Sequence, residues 1–377
     1  MKTIAYRKVF KNYLIANIYS KMSNGCFYSP FSLSIDDMNR LILINFEKDP
    51  DEFYNTFELQ QASDKTGKKY LLVVAYRNDG GSDIYYQPGY LFASQASVLN
   101  DVTFFARALE NAKFEITKGC LDVYFTFNDK YGRRIKVIVN ENKKLKNNPF
   151  YLLAPVGVVS KKPSSLPIYS LYEMSFTKRK NTNIEIEIDE VKHKPDTFPL
   201  PIDYSKNYFT RYSTDAFNVD WNKNFHGQLF PLMPGKKTRL EDNGVAYELV
   251  NNNGHYEIKD IRTTNHKHYL NINFFPPLPD IVCLVDDVAL NGKFMTTTDK
   301  TIGTIRGEYY LKRHGQEIEL KIQANKGWIP NENRFILKLL FLIVKVFKDW
   351  PKSYIWNATI KLNETDHPVM KSSWSRI

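Results

Sequence analysis

The sequence predicts a mainly β protein, built as two antiparallel β-barrel or sandwich lobes with one late hydrophobic helix. Three observations predict this. Aromatic residues are dense, with 24 Tyr and 25 Phe, and aromatic and β-branched side chains favour pleated, half-buried surfaces. Two strand–turn–strand runs, residues 120–142 and 307–325, stand out in successive halves of the chain. At 377 residues, the chain exceeds what one hydrophobic core usually holds, so two domains are expected.

In the first run Leu121, Val123, Phe125 and Phe127 alternate with Asp122, Tyr124 and Thr126. After Asn-Asp-Lys-Tyr-Gly the pattern resumes with Ile135, Val137 and Val139 against Arg134 and Lys136, the period of two that a half-buried strand imposes. In the second run Arg313, His314 and Gly315 make the turn, and Ile318, Leu320 and Ile322 alternate with Glu317, Glu319 and Lys321. The shared pattern predicts equivalent hairpins in two similar lobes.

Residues 1–38 read as a lead-in with a helix over Val9–Met22, residues 39–203 as the first lobe and residues 204–377 as the second. Strands begin at Arg40 with an apolar run. In Phe53–Gln60, Phe53, Phe57 and Leu59 oppose Tyr54, Thr56, Glu58 and Gln60. A hairpin follows around Asn78–Gly81, whose residues accept positive φ. Asp101–Glu110 predicts a short Asp-capped helix. Lys143–Pro167 carries four prolines, which remove ladder donors, and reads as a connection. Strands resume at Tyr169–Thr177 and Asn183–Val191, where Ile184, Ile186 and Ile188 face away from Glu185, Glu187 and Asp189, the expected wet side. Pro195–Gly235 mixes five prolines with nine aromatic residues and holds the expected lobe boundary.

The second lobe opens with Val245–Val250 and His255–Thr263 around an Asn-Asn-Asn-Gly turn. A strand over His266–Phe275, a break at Pro276, Pro277 and Pro279, and a turn at Asn291–Gly292 follow. Asn331–Lys348 predicts the helix, capped by Asn331 or Asn333 and stopped by Pro351. Its Arg334, Lys338, Lys345 and Lys348 share one stripe, so everything else on it is expected to be covered, with Leu339, Leu342 and Val346 deepest. A membrane-surface position, in peripheral contact with anionic lipid, is the alternative for this helix. A closing strand at Tyr354–Leu362 and a polar tail end the chain.

The formal charge is +11, yet 41 acidic residues are interspersed among 52 basic ones with no long basic run, which argues against a nucleic-acid partner. Cys26, Cys120 and Cys283 stand in no metal or redox spacing and point to a reducing, cytoplasmic setting. No apolar leader or membrane-length run is present.

No nucleophile elbow, phosphate loop, dinucleotide fingerprint or C-x-x-C pair occurs. The sharpest candidates are His266 and His268, two apart and therefore on one face of the expected strand. A metal centre needs further donors close by, and none follows in the sequence, so the pair reads as exposed strand-end histidines or, alternatively, as polar lining of a cavity, and no metal or cofactor is expected. Arg211, Tyr212 and Trp221, in the aromatic crossing, complete the expected ligand-binding set. Catalytic residues are left unassigned, since acid–base work here would fall to isolated carboxylates raised in pKa by an apolar cavity.

Two antiparallel lobes, aromatic interiors and a late hydrophobic helix resemble the two-lobed lipocalin-like proteins that include carotenoid hydratases and tocopherol cyclases. The resemblance is one of architecture: the chain has no lipocalin Gly-x-Trp opening strand, and no residue role carries over. It implies, over residues 40–362, a cavity for an apolar or amphiphilic small molecule, with isomerase, hydratase or cyclase chemistry. The alternatives are a carbohydrate-binding or carbohydrate-processing β protein, where sugar rings stack on Tyr and Trp beside paired carboxylates, and an interaction protein that docks through its helix.

Overall fold

The computed structural model describes residues 18–21, 23–63, 66–87, 102–117, 120–142, 148–153, 163–199, 201–202, 204–235, 237–265, 267–299, 301–343, 350–362 and 367–377. It is mainly β, in several sheets that include a curled half-barrel. In chain order the strands are β1 (Leu33–Asp36), β2 (Met38–Asn45), β3 (Tyr54–Ser63), β4 (Lys69–Arg77), β5 (Ser82–Tyr86), β6 (Val102–Ala106), β7 (Glu110–Thr117), β8 (Cys120–Asn128) and β9 (Arg134–Glu141). Next come β10 (Phe150–Leu153), β11 (Leu166–Lys178), β12 (Thr182–Ile188), β13 (Val191–His193), β14 (Asn207–Ser213), β15 (Asp215–Trp221), β16 (Phe225–Gln228) and β17 (Arg239–Asp242). Last are β18 (Val245–Asn252), β19 (His255–Thr264), β20 (Tyr269–Leu278), β21 (Ala289–Thr297), β22 (Thr304–His314), β23 (Glu317–Ile329), helix α1 (Phe335–Ile343), β24 (Tyr354–Lys361) and β25 (Val369–Arg376).

The first sheet runs β1-β15-β11-β14-β2-β3-β4-β5-β6, with β10 also on β11. A second runs β13-β12-β9-β8-β7, and a third is the meander β16-β25-β24-β23-β22-β21-β20-β19-β18-β17. Both predicted hairpins form, as β8–β9 and β22–β23. Their surroundings are unlike: the first lies in a five-stranded sheet whose strands are drawn from residues 110–193, the second inside a ten-stranded meander. The chain leaves the first sheet after Trp221 and enters the third at Phe225.

Two cores hold the layers together. One joins the first sheet to the third, with Phe31 stacked on Phe274 at 4.9 Å and Trp221 edge-on to Phe294 at 5.1 Å. The other joins it to the second sheet, where Phe57 meets Phe125 and Tyr85 meets Phe127. At the rim of that second contact Asp83 is buried but paired with Arg77 at 2.7 Å and Lys130 at 3.0 Å, as a desolvated carboxylate requires.

Several expectations change. Over 101–110 there are strands, not a helix: β6 pairs parallel with β5 from Val102 to Ala106, an open sheet edge overriding the capping signal; residue 101 lies outside the described residues. Asn291–Gly292 is no turn, because β21 runs straight through it against β22. A Cβ on Gly292 would meet the Tyr309 ring at 2.4 Å, so this glycine marks close packing instead. The polar tail supplies β25, paired with β24 along its length.

The predicted helix is present over Phe335–Ile343, and residues 344–349 fall outside the described set. Its start is capped by the Glu332 carboxylate, which accepts the N–H groups of Asn333 and Arg334 at 2.8 Å each. Leu337 and Phe341, four apart, are its buried residues, and Phe341 packs edge-on against Trp328. Leu342 is 71% exposed, which corrects the expectation that it lies deepest: the helix meets the core through Leu337 and Phe341, with the partly buried Ile336 and Leu340 packed beside them. No helix among the described residues is long and apolar enough to cross a membrane. The helix expected over Val9–Met22 falls almost wholly outside the described residues.

Candidate functional site

One face of the first sheet gathers charge that is out of water. Asp36, Asn218 and Tyr169 are neighbours across β1, β15 and β11, and cross-strand partners point to one side. Asp220 lies two residues beyond Asn218 and so shares that side. Further along the sheet Arg211, Leu43, Glu58 and Val74 form a second row across β14, β2, β3 and β4, with Gln60 and Tyr76 adjoining. Asp36, Asn218, Asp220, Tyr169 and Glu58 are all buried.

Glu58, fully shielded, accepts hydrogen bonds from Tyr76 Oη at 2.5 Å and Gln60 Nε2 at 2.6 Å. Burial still pushes its carboxyl above the ordinary value, because those donors and the nearby Arg211 only partly offset desolvation. Arg211 donates to Asn45 Oδ1 at 2.8 Å and the Phe209 carbonyl at 3.2 Å, and lies over the Phe209 ring. Ser165 Oγ donates to Asp220 Oδ1 at 3.0 Å, and Lys223 Nζ is 3.8 Å from Oδ2. Burial, reinforced by the Asp36 charge, pushes Asp220 up to about 7. The Tyr169 phenol is held well above its ordinary value by burial and then by Asp220, Asp36, Glu58 and Tyr76, so the two rows converge on it. Asp220 Oδ2 and both amide atoms of Asn218 are buried without a hydrogen-bond partner. Three such atoms on one strand form a polar surface that calls for one.

The residues singled out from the sequence are scattered. Arg211 belongs to this face. Tyr212, its neighbour, points to the opposite side, where its hydroxyl donates to Glu141 at 3.2 Å inside the core against the second sheet. Trp221 is packed core among Phe31, Phe294 and Trp374. His266 lies outside the described residues. His268 sits in the turn before β20, not on the strand, with its N–H bound by Asn265 Oδ1 at 2.7 Å. Its Nδ1 is 2.8 Å from Asp299 and its Nε2 3.1 Å from Asp215, so it bridges the third sheet to the first.

A small polar groove of about 110 Å³ on the third sheet is lined by Arg239, Glu248, Asp260, Arg262 and Asn271, among others. Burial and the cross-strand Glu248 carboxylate push Asp260 up to about 6. Donor sets able to hold a metal occur elsewhere: His255, Asp280 and Cys283, all buried, and the exposed Asp286, Asp287 and His314.

The sequence missed Asp36, Glu58 and Asp220 as site residues. The alternation that places Glu58 opposite Phe57 and Leu59 is legible, but its polar side reads as wet, whereas β3 is buried on both faces. No family model, curated protein or solved structure matches the chain.

Proposed function

We propose that the chain binds an apolar or amphiphilic small molecule against the polar face of the first sheet and transforms it by proton transfer, in isomerase, hydratase or cyclase fashion. The observation that carries this is the buried row Asp36, Asn218 and Tyr169 across three neighbouring strands with Asp220 beside it, where both Asn218 amide atoms lack a hydrogen-bond partner. A carboxyl poised near 7 both gives and takes a proton at neutral pH. Asp220 is the acid and base in this scheme. Protonating a carbon–carbon double bond leaves a cation, and neighbouring carboxylates together with the Tyr76 and Tyr169 rings would stabilise it. Arg211, fixed by Asn45, would orient a polar end of the ligand. The sheets then serve as walls of two lipocalin-like lobes, and three cysteines that form no disulfide suit a cytoplasmic setting.

The carbohydrate alternative draws on the groove with its Glu248–Asp260 carboxyl pair, but the face of nearby Tyr269 is already covered by Arg262 at 4.5 Å, which removes a stacking platform. Mass spectrometry of protein purified under native conditions tests the proposal. A small molecule should accompany the wild-type chain, and Asp220→Asn should retain it in a chemically unconverted form. A wild-type chain that carries none, and that takes up no apolar probe such as retinol or a fatty acid, overturns it.

A further inference from the structure

We infer that His255, Asp280 and Cys283 form a buried site for a divalent transition metal, zinc above all, that fastens the segment around Tyr19 to the third sheet. His255 opens β19 after the Asn253–Gly254 turn, whose residues both have positive φ. Asp280 and Cys283 lie in the short 3-10 turn that follows β20. Their donor atoms all fall within 4.8 Å of one another, with His255 Nδ1 3.6 Å from Asp280 Oδ2. Metal–ligand bonds of about 2.0–2.3 Å put neighbouring donors of a tetrahedral zinc roughly 3.3–3.8 Å apart, so little contraction is needed.

Both Asp280 oxygens and His255 Nδ1 are buried without a hydrogen-bond partner. The His255 ring at 3.6 Å is the nearest ion-pair partner given for this buried carboxylate, and a cation bound between them would compensate it more fully. The surroundings orient the donors as outer-shell groups do in metal centres. Tyr19 stacks on the imidazole at 3.8 Å with planes 14° from parallel. Its hydroxyl donates to Glu257 Oε1 at 2.7 Å and accepts the Asp280 N–H at 3.3 Å. Cys26 is buried close enough to feel the Asp280 charge and is a candidate fourth donor.

A thiolate with an imidazole and a carboxylate selects zinc over the hard cations magnesium and calcium. Thiol catalysis fits poorly, since Cys283 is 3% exposed. The same turn holds the early segment through Ser20 N to Cys283 O at 2.8 Å and Val285 N to Ile18 O at 2.8 Å, so a metal there would tie two distant parts of the chain.

The test uses the full chain, stripped with a chelator and titrated with Zn²⁺ and with Co²⁺. The wild-type protein should take up about one equivalent, its Co²⁺ form should show a near-ultraviolet thiolate-to-metal band, and Zn²⁺ should raise its melting temperature. Cys283→Ser should abolish the band, and His255→Gln should weaken zinc by roughly 10- to 100-fold. Failure of the wild-type chain to bind Zn²⁺ stoichiometrically, a Co²⁺ spectrum without the thiolate band, or unchanged binding in a folded Cys283→Ser variant each overturns the inference.

Discussion

Tyr172 lies flat on His268, ring centroids 3.8 Å apart and planes 7° from parallel, and the stack joins β11 of the first sheet to the β19–β20 turn of the third. The imidazole edges meet Asp299 and Asp215, so one residue touches a ring and two carboxylates from three segments. Removing it takes away the ring that links Asp215 to Asp299 and the platform on which Tyr172 lies. His268→Ala should cost about 1–3 kcal/mol, read as a lowered urea midpoint. A variant as stable as wild type would mean that the two sheets are held by their apolar core alone.

Helix α1 offers an internal comparison. Leu337 is fully buried and Leu342 largely exposed, although both are leucines five residues apart on one helix. Leu337→Ala should destabilise by about 2–5 kcal/mol, the range for a core leucine, while Leu342→Ala should stay within about 0.5 kcal/mol. Thermal unfolding of the two variants checks this. A large loss at Leu342 would mean that this exposed apolar side is covered by a partner in solution.

Gly292 and Tyr309 are cross-strand neighbours, and the Tyr309 hydroxyl donates to the Pro276 carbonyl at 2.8 Å, which pins the ring over the glycine. Gly292→Ala should therefore cost about 1–3 kcal/mol through overpacking. Gly292→Ala in a Tyr309→Ala background should cost less, and equal losses in both backgrounds would place the penalty in the backbone.

Local alternation was legible wherever a strand has a turn beside it. Leu121, Val123 and Phe125, or Ile318, Leu320 and Ile322, face the core as the pattern requires, and Asn253–Gly254 and Gly315 adopt the positive φ their types permit. Signals failed where distant chain decides. Asn291–Gly292 looks like a turn until Tyr309 is placed above it, and residues 102–106 look helical until the free edge of β5 is present. The candidate site was illegible for the same reason. Asp36, Glu58 and Asp220 come from β1, β3 and β15, brought near one another only by the non-sequential order of the first sheet. His255, Asp280 and Cys283 likewise have no spacing that a motif would register.

Asp220 makes the stability depend on pH in a direction opposite to that of an ordinary ion-paired carboxylate. Desolvation and the Asp36 charge raise its pKa to about 7 in the folded chain, against an ordinary value of 3.8. Between those two values the folded state keeps a proton that the unfolded state has released. Stability contributed by this group is therefore fully present below about 4, declines as pH rises toward 7, and is flat above. The total swing is of the order of a few kcal/mol. Asp220→Asn removes the ionisation while its amide oxygen still accepts from Ser165. It should thus be more stable than wild type at pH 8, match it more closely at pH 5, and lose the part of the slope that Asp220 supplies. Urea unfolding of both proteins across that range measures the difference, and parallel curves would show that Asp220 is ionised in the folded chain at neutral pH and cannot serve as the proton donor.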